Sequence, residues 1–281
     1  MSQETIAKDT NSGGRATLMG QNPLAKSAAP VPRPQSEVLG AVALDAQEIS
    51  VEEAYSKGHT TFMGLELLVA PGALVPRPET ELLGKSALDA LDGLTVAEPR
   101  IVDMCCGAGN LACAIAHYAS AARIWASDLT DGCVEVSRRN VAFHGLADRV
   151  SVHQGDLFGA FSSLELVGTI DMIVCNPPYI SEKRLDNDRA HLTDLEPREA
   201  FAAGPYGLSI HMRVIKEAQR YLRPGGILLF EVGLGQDRQV MGLLERSKAY
   251  EDMRSIANQS GEGRVVVAHM KRLDQTYVSS G

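Results

Sequence analysis

The 281-residue chain is poor in aromatic side chains, at 5% with a single tryptophan, Trp125, and poor in basic charge, with 27 Lys and Arg against 35 Asp and Glu. A formal net charge of -8 opposes broad attraction to a phosphate backbone, leaving only a locally concentrated basic patch as a route to nucleic acid. No apolar stretch approaches the ~18 to 20 residues that a spanning helix needs, so an integral membrane protein is not expected. The five cysteines (Cys105, Cys106, Cys113, Cys133 and Cys175) have no Cys-x-x-Cys spacing and no paired histidines nearby. That pattern suggests neither a disulfide framework nor a zinc site, and no other metal is expected. The thiols read as reduced, in a cytoplasmic setting. The start, Met1-Ser2-Gln3-Glu4-Thr5, lacks the basic-then-apolar order of a secretory signal.

Residues 1–37 contain no aromatic residue and close on Pro30, Pro32 and Pro34, a composition that cannot offset its ordering entropy by apolar burial. They are expected to be a disordered tail. Residues 38–95 read as a lead-in segment, with one short helix capped by Ser50 and another from Pro78 to Leu91 that carries proline in its first turn. The main domain spans 96–272, and 273–281 is a C-terminal tail.

In the main domain, short β-rich apolar runs alternate with segments of helical period, the pattern of crossover units on a parallel sheet. Strands are expected near Arg100 to Cys105, Arg123 to Asp128, Val150 to His153, Ile170 to Cys175, Ile227 to Val232 and Arg264 to Met270. Helices are expected after Gly109, from about Gly132 to Phe143, and from about Leu208 to Tyr221 before a Pro224-Gly225-Gly226 turn. This is a doubly wound α/β fold, in which ligands gather beyond the carboxyl ends of the strands.

Three strand ends carry suitable groups. After the first stands Asp103-Met104-Cys105-Cys106-Gly107-Ala108-Gly109-Asn110, whose glycines allow a tight turn and close backbone approach at a helix N-terminus. Asp128 ends the second strand and could accept from both hydroxyls of a ribose. Asp156, with Leu157 next to it, follows the third and could meet an adenine amine. Together they indicate a nucleoside cofactor. The glycine spacing departs from Gly-x-Gly-x-x-Gly, which places a dinucleotide second.

The fourth strand ends in Asn176-Pro177-Pro178-Tyr179. Two prolines hold an extended course and leave carbonyls without neighbouring N–H partners. If the Asn176 side-chain oxygen and the Pro177 carbonyl accept from one substrate NH2, that nitrogen is aimed at an electrophile while Tyr179 stacks on its planar group. An ordinary proline-stiffened loop with a surface tyrosine is the alternative.

The chain resembles the HemK/PrmC family of class I S-adenosylmethionine (SAM)-dependent methyltransferases. The resemblance rests on Asp103 to Asn110, on Asn176 to Tyr179 and on Pro76-Arg77-Pro78-Glu79-Thr80-Glu81. It extends through Phe62 to Glu66, Glu196-Pro197-Arg198, Gly207-Leu208, Pro224-Gly225-Gly226, Glu231-Val232-Gly233 and Gly263 to Val267. It implies a Rossmann-like, seven-stranded sheet with the last strand antiparallel, and methyl transfer to a glutamine side-chain amide. It further implies SAM at Asp103, Cys105, Gly107, Gly109, Asn110, Asp128, Asp156, Leu157, Asn176 and Thr80. Asn176, Pro177 and Tyr179 would be catalytic, and Pro178, Arg77 and Glu79 would join them around the acceptor. Family members that modify release factors usually carry a helical N-terminal recognition domain, whereas a short segment precedes Phe62 here. The chain also has Met104-Cys105-Cys106 where the family commonly has Leu, Gly and a small hydroxyl residue.

The acceptor is therefore either a release factor or a small biosynthetic metabolite, with the oligomeric state open. A nucleic-acid adenine methyltransferase would need a basic face, and a non-catalytic SAM-binding scaffold would not need Asn176 and Asp128. Cys105 and Cys106 read as small core residues, Trp125 as core, and His153 and His211 as packing or surface residues.

Overall fold

A computed structural model describes residues 50–180, 196–197, 199, 201 and 207–272. The expected tails at 1–37 and 273–281, residues 38–49 and Arg198 lie outside the described residues.

The described chain begins with α1 (Val51–Lys57), where Ser50 Oγ accepts from the Glu53 N–H at 3.1 Å and Gly58, at φ +76°, ends the helix. A hairpin of β1 (His59–Phe62) and β2 (Leu65–Leu68) follows. Its two turn residues, Met63 and Gly64, both have positive φ, the backbone that matches the twist of paired strands. The single helix expected from Pro78 divides in two, a 3-10 turn (Pro78–Thr80) and then α2 (Glu81–Asp92). Glu81 Oε1 accepts from Met63 N at 2.9 Å, fastening the hairpin to α2.

The main sheet is built from β3 (Arg100–Met104), β4 (Arg123–Asp128), β5 (Val150–Gln154), β6 (Ile170–Cys175), β7 (Leu222–Glu231), β8 (Tyr250–Ala257) and β9 (Gly263–Met270). Helices α3 (Asn110–Tyr118), α4 (Asp131–Phe143), α5 (Ser209–Tyr221) and α6 (Asp237–Ser247) connect them, as does a 3-10 turn at Leu157–Phe161. The strand order is β5-β4-β3-β6-β7-β9-β8. The first five pair in parallel, and β9 runs antiparallel to both neighbours. This is a seven-stranded sheet with its last strand reversed, as the resemblance implies.

Every residue of β6 is buried, as a strand covered on both faces requires. Alternate side chains feed two cores: Ile101, Met172, Leu229 and Val267 on one face, and Val102, Ile173, Leu228 and Val266 on the other. Two features differ from the sequence reading. Pairing of β7 begins at Leu222, opposite Ile170, and resumes at Ile227, opposite Met172, so Arg223 to Gly226 bulge out within the strand instead of preceding it. Buried Asp171 holds that bulge, accepting from Arg223 Nε and, at 2.7 Å, from Arg100 N. The edge strand β8 was not expected, because its mostly polar sequence resembles a loop. Among the described residues no helix is long and apolar enough to cross a membrane.

Candidate active site

The carboxyl ends of β3, β4, β5 and β6 open on a cavity of about 360 Å³. The chain leaves β3 toward β4 on one side, while β6 lies on the other, so the cavity sits where the strand order reverses.

Three left-handed residues shape the turn after β3: Cys105 at φ +59°, Gly107 at +54° and Gly109 at +77°. A side chain at Gly109 would collide with Ser137 Oγ on α4, whereas space at Gly107 is open and only its backbone conformation favours glycine. Cys105 bears the left-handed strain that a non-glycine residue incurs, about 1 to 2 kcal/mol. Gly109 starts α3 with no side chain of its own to cap it, Asp103 takes the Ala112 N–H of the first turn from beneath, and Gly107 and Asn110 form the cavity wall beside it.

Asp128 also lines the cavity. Its Oδ2 accepts from Gly107 N at 2.9 Å and its Oδ1 from Thr130 N at 3.3 Å, so the carboxylate is held in place with lone pairs left on both oxygens. Leu129 and Leu157 add apolar wall, and Leu129 keeps 56% of its surface exposed. This set, a fixed carboxylate beside a glycine turn, a helix N-terminus and apolar sides, fits a nucleoside with a charged tail.

Asn176 stands where β6 ends. Its Nδ2 donates to Thr80 Oγ1 at 3.1 Å, and among the described residues nothing bonds the carboxamide oxygen of this cavity-lining residue. Arg77, also in the wall, pairs with buried Glu196, whose Oε1 accepts from Val75 N at 2.9 Å. Burial raises the Glu196 carboxyl, against the lowering pull of the Val75 N–H and the guanidinium.

Cys105, Gly107, Asn110, Asp128, Asp156, Leu157, Asn176, Thr80, Pro178 and Arg77 thus share one cavity. Five expected residues are absent from its described lining. Asp103 lies fully buried beneath the turn, where Oδ2 accepts from Ala112 N at 2.9 Å and Oδ1 has no partner among the described residues. Burial, helped by nearby Asp128 and opposed by the Ala112 N–H, pushes its carboxyl up to about 8. It ties β3 to α3. Gly109 packs against Ser137, Pro177 is buried, and Glu79 is exposed.

Tyr179, expected to stack on the acceptor, makes several contacts within the chain. Its hydroxyl donates to Glu231 Oε1 at 3.4 Å, its ring lies 5.9 Å from the Arg264 guanidinium, and its carbonyl accepts from Gln236 Nε2 at 3.0 Å. Those attachments draw it toward the sheet end. Asp156 also differs from expectation, since both of its oxygens are engaged by Arg213 at 2.9 Å in a fork.

Sequence reasoning missed Thr130, Cys133 and Ile210 in the wall, although Thr130 follows Asp128 closely enough for the strand-end rule to include it. It also missed the buried pair of Glu231 and Arg264. The available signal was a charge of each sign inside apolar strand runs. His211, expected at the surface or in packing, is fully buried with Nε2 3.2 Å from the Glu231 carbonyl, and burial lowers it to about 4.

Residues 84–192 match the methyltransferase small domain family. Over 171 residues the chain is 34% identical to the release factor glutamine methyltransferase of Moorella thermoacetica, covering 61% of this chain and 59% of that protein. It is 36% identical over 151 residues to the ribosomal protein uL3 glutamine methyltransferase of Bradyrhizobium diazoefficiens, covering 52% and 44%. The chain therefore spans about three-fifths or less of the length of these curated relatives. The crystal structure of a methyltransferase from Pyrococcus furiosus shares the fold, with a TM-score of 0.52 and 18% identity over 75% of this chain and 90% of that one.

Proposed function

We propose, for a chain that carries a methyltransferase small domain over residues 84–192, that it is a SAM-dependent N-methyltransferase acting on the side-chain amide of a protein glutamine. The observation that supports this reading best is the Asn176 carboxamide, whose nitrogen is engaged by Thr80 and whose oxygen is left to accept from a substrate NH2.

Asp128 would hold the ribose of the cofactor, and the turn from Cys105 to Asn110 would hold its amino-acid end against the start of α3. Leu129 and Leu157 would cover the base. Bound there, SAM supplies an electrophilic methyl group. An amide nitrogen is a poor nucleophile because its lone pair is delocalised into the carbonyl, so orientation and stabilisation of charge developing on NH2 matter more than a base. Asn176 Oδ1 and the Pro177 carbonyl would accept the two N–H groups, turning the remaining lobe toward the methyl. Proline at 177 and 178 keeps these acceptors from being consumed by the loop itself.

The relatives named for release factors and for ribosomal protein uL3 share glutamine as the modified residue, which favours a glutamine over a free metabolite. We place a release factor first. The test is incubation with methyl-labelled SAM and purified release factor or uL3, then mass spectrometry of the glutamine-bearing peptide. A gain of one CH2 on that glutamine supports the reading. Label that enters only a small-molecule fraction overturns it.

A further inference from the structure

We propose that Gln236 is a positioning residue which, through its side-chain amide, clamps the Asn176 to Tyr179 loop and so fixes the acceptors that would hold a substrate NH2. This deepens the N-methyltransferase reading and rests on it for its catalytic meaning. Two acceptors that must meet one NH2 group tolerate little drift, since a displacement of about 1 Å can cost roughly a hundredfold in rate. Prolines alone do not hold a loop that still.

The near end of the loop is pinned by β6, where Cys175 pairs with Met104 on β3 and Phe230 on β7. Pro177 and Pro178 fix φ but have no N–H with which to tie the loop to its surroundings. The far end is tied at Tyr179. Its carbonyl accepts from Gln236 Nε2 at 3.0 Å, and Gln236 Oε1 accepts from Gly233 N at 3.0 Å. The Gly233 N–H can only donate and the Tyr179 carbonyl can only accept, so the Gln236 amide has one orientation with both ends in use. Two glycines close around it. A Cβ at Gly207, whose φ is +72°, would lie 2.9 Å from Gln236 Nε2 and would collide with the Tyr179 carbonyl oxygen. A Cβ at Gly233 would lie 2.7 Å from Gln236 Oε1 and 3.0 Å from the Tyr179 ring. Backbone from before α5 and from the end of β7 thus approaches the amide as closely as only glycine allows.

The clamp is separate from the bonds that close the turn carrying it. Gln236 N donates to Gly233 O at 2.9 Å and Gln236 O accepts from Val240 N at 2.9 Å, so main chain holds the turn and the start of α6. Removing the side chain therefore frees the loop without opening the turn. The cofactor side is held by other bonds, those of Asp128 to Gly107 N and Thr130 N after β3 and β4. Thr80 holds the Asn176 amide by its nitrogen. The Pro177 carbonyl is a main-chain group, and its direction follows the course of the loop that Gln236 sets.

The test uses the full chain labelled with 15N, with purified release factor as the acceptor. Two variants separate the ends of the amide: Q236E keeps an acceptor for Gly233 N but sets a lone pair against the Tyr179 carbonyl, and Q236M keeps the length and makes neither bond. Both should lower kcat roughly ten- to a hundredfold with KM for SAM little moved, the split expected when an orienting contact slips. The Ile180 N–H and Asn176 Nδ2 resonances should shift or broaden in both variants while that of Gly107 N–H stays in place. The Gly233 N–H should keep its hydrogen-bonded shift in Q236E and lose it in Q236M. Wild-type kcat in both variants overturns the clamp; so do loop resonances that do not move, or a KM for SAM that rises as kcat falls. Were Q236M to unfold, Q236E decides. Loop resonances that respond as expected in a protein that methylates no glutamine acceptor would leave the clamp standing and remove the proposed function.

Discussion

The backbone N–H of Gly107 donates to Oδ2 of Asp128 at 2.9 Å, so the turn after β3 and the carboxylate after β4 form one unit. In the proposed cofactor complex, loss of the carboxylate would remove a ribose acceptor and loosen the turn together. Asp128→Ala should weaken SAM binding by about 1.5 to 3 kcal/mol, the range for hydrogen bonds to a charged group, as titration calorimetry would show. Tight NAD binding with none for SAM would point to dinucleotide chemistry instead.

Asn176→Ala should lower turnover by roughly two orders of magnitude or more while SAM affinity stays nearly constant, because the lost contact matters chiefly in the transition state. Single-turnover rates with saturating SAM separate the two quantities. Near-normal turnover would remove Asn176 from the chemistry.

Gly109→Ala combines a φ of +77° with a Cβ that meets Ser137 Oγ and lies 3.2 Å from Ser137 Cβ. The expected cost is about 1 to 3 kcal/mol of stability, measured by urea unfolding. Ser137→Ala in the same chain should return part of that cost by removing the hydroxyl. Full tolerance of alanine at 109 would show that the turn relaxes freely.

Asp103 makes stability depend on pH in a definite sense. Its carboxyl sits at about 8 in the folded chain against an ordinary 3.8, so its contribution is complete below the ordinary value and is lost as pH rises through the folded one. Glu231, raised to about 7, acts in the same direction. The urea midpoint of the wild type should therefore fall between acid and mildly alkaline pH, and Asp103→Asn, which stays neutral, should flatten much of that fall. An equally steep fall in the variant would assign it to other groups.

How far the site could be read in advance depended on where each residue lies along the strands. Asp128 and Asn176 were legible because a polar side chain directly after an apolar strand has few places to go other than the carboxyl edge of a parallel sheet. Thr80 was flagged through its neighbours in the Pro76 to Glu81 segment, and its reach to Asn176, 96 positions away, is a tertiary fact with no local mark. Tyr179 shows the limit more clearly: nothing in Asn176 to Tyr179 states that its hydroxyl has a buried carboxylate within reach on β7. Asp156 likewise met Arg213 across 57 residues. In the fold, the apolar strands declared themselves, while β8 did not, because an edge strand that shows polar side chains to water lacks the burial that makes a strand visible in sequence.

The antiparallel β9 lies between β7 and β8, so the segment that closes the sheet leaves a ribosome after both strands it pairs with. Until it arrives, β8 has no neighbour in the sheet, and β7 presents an open edge. The pairing spans a wide sequence interval only for β7, whereas β8 and β9 are close in the chain, so the two can form as a hairpin and dock as one piece. Arg264 travels with that piece. A nascent chain that has emerged only through β7 already holds Glu231, yet that buried carboxylate lacks its Arg264 cation until the hairpin docks.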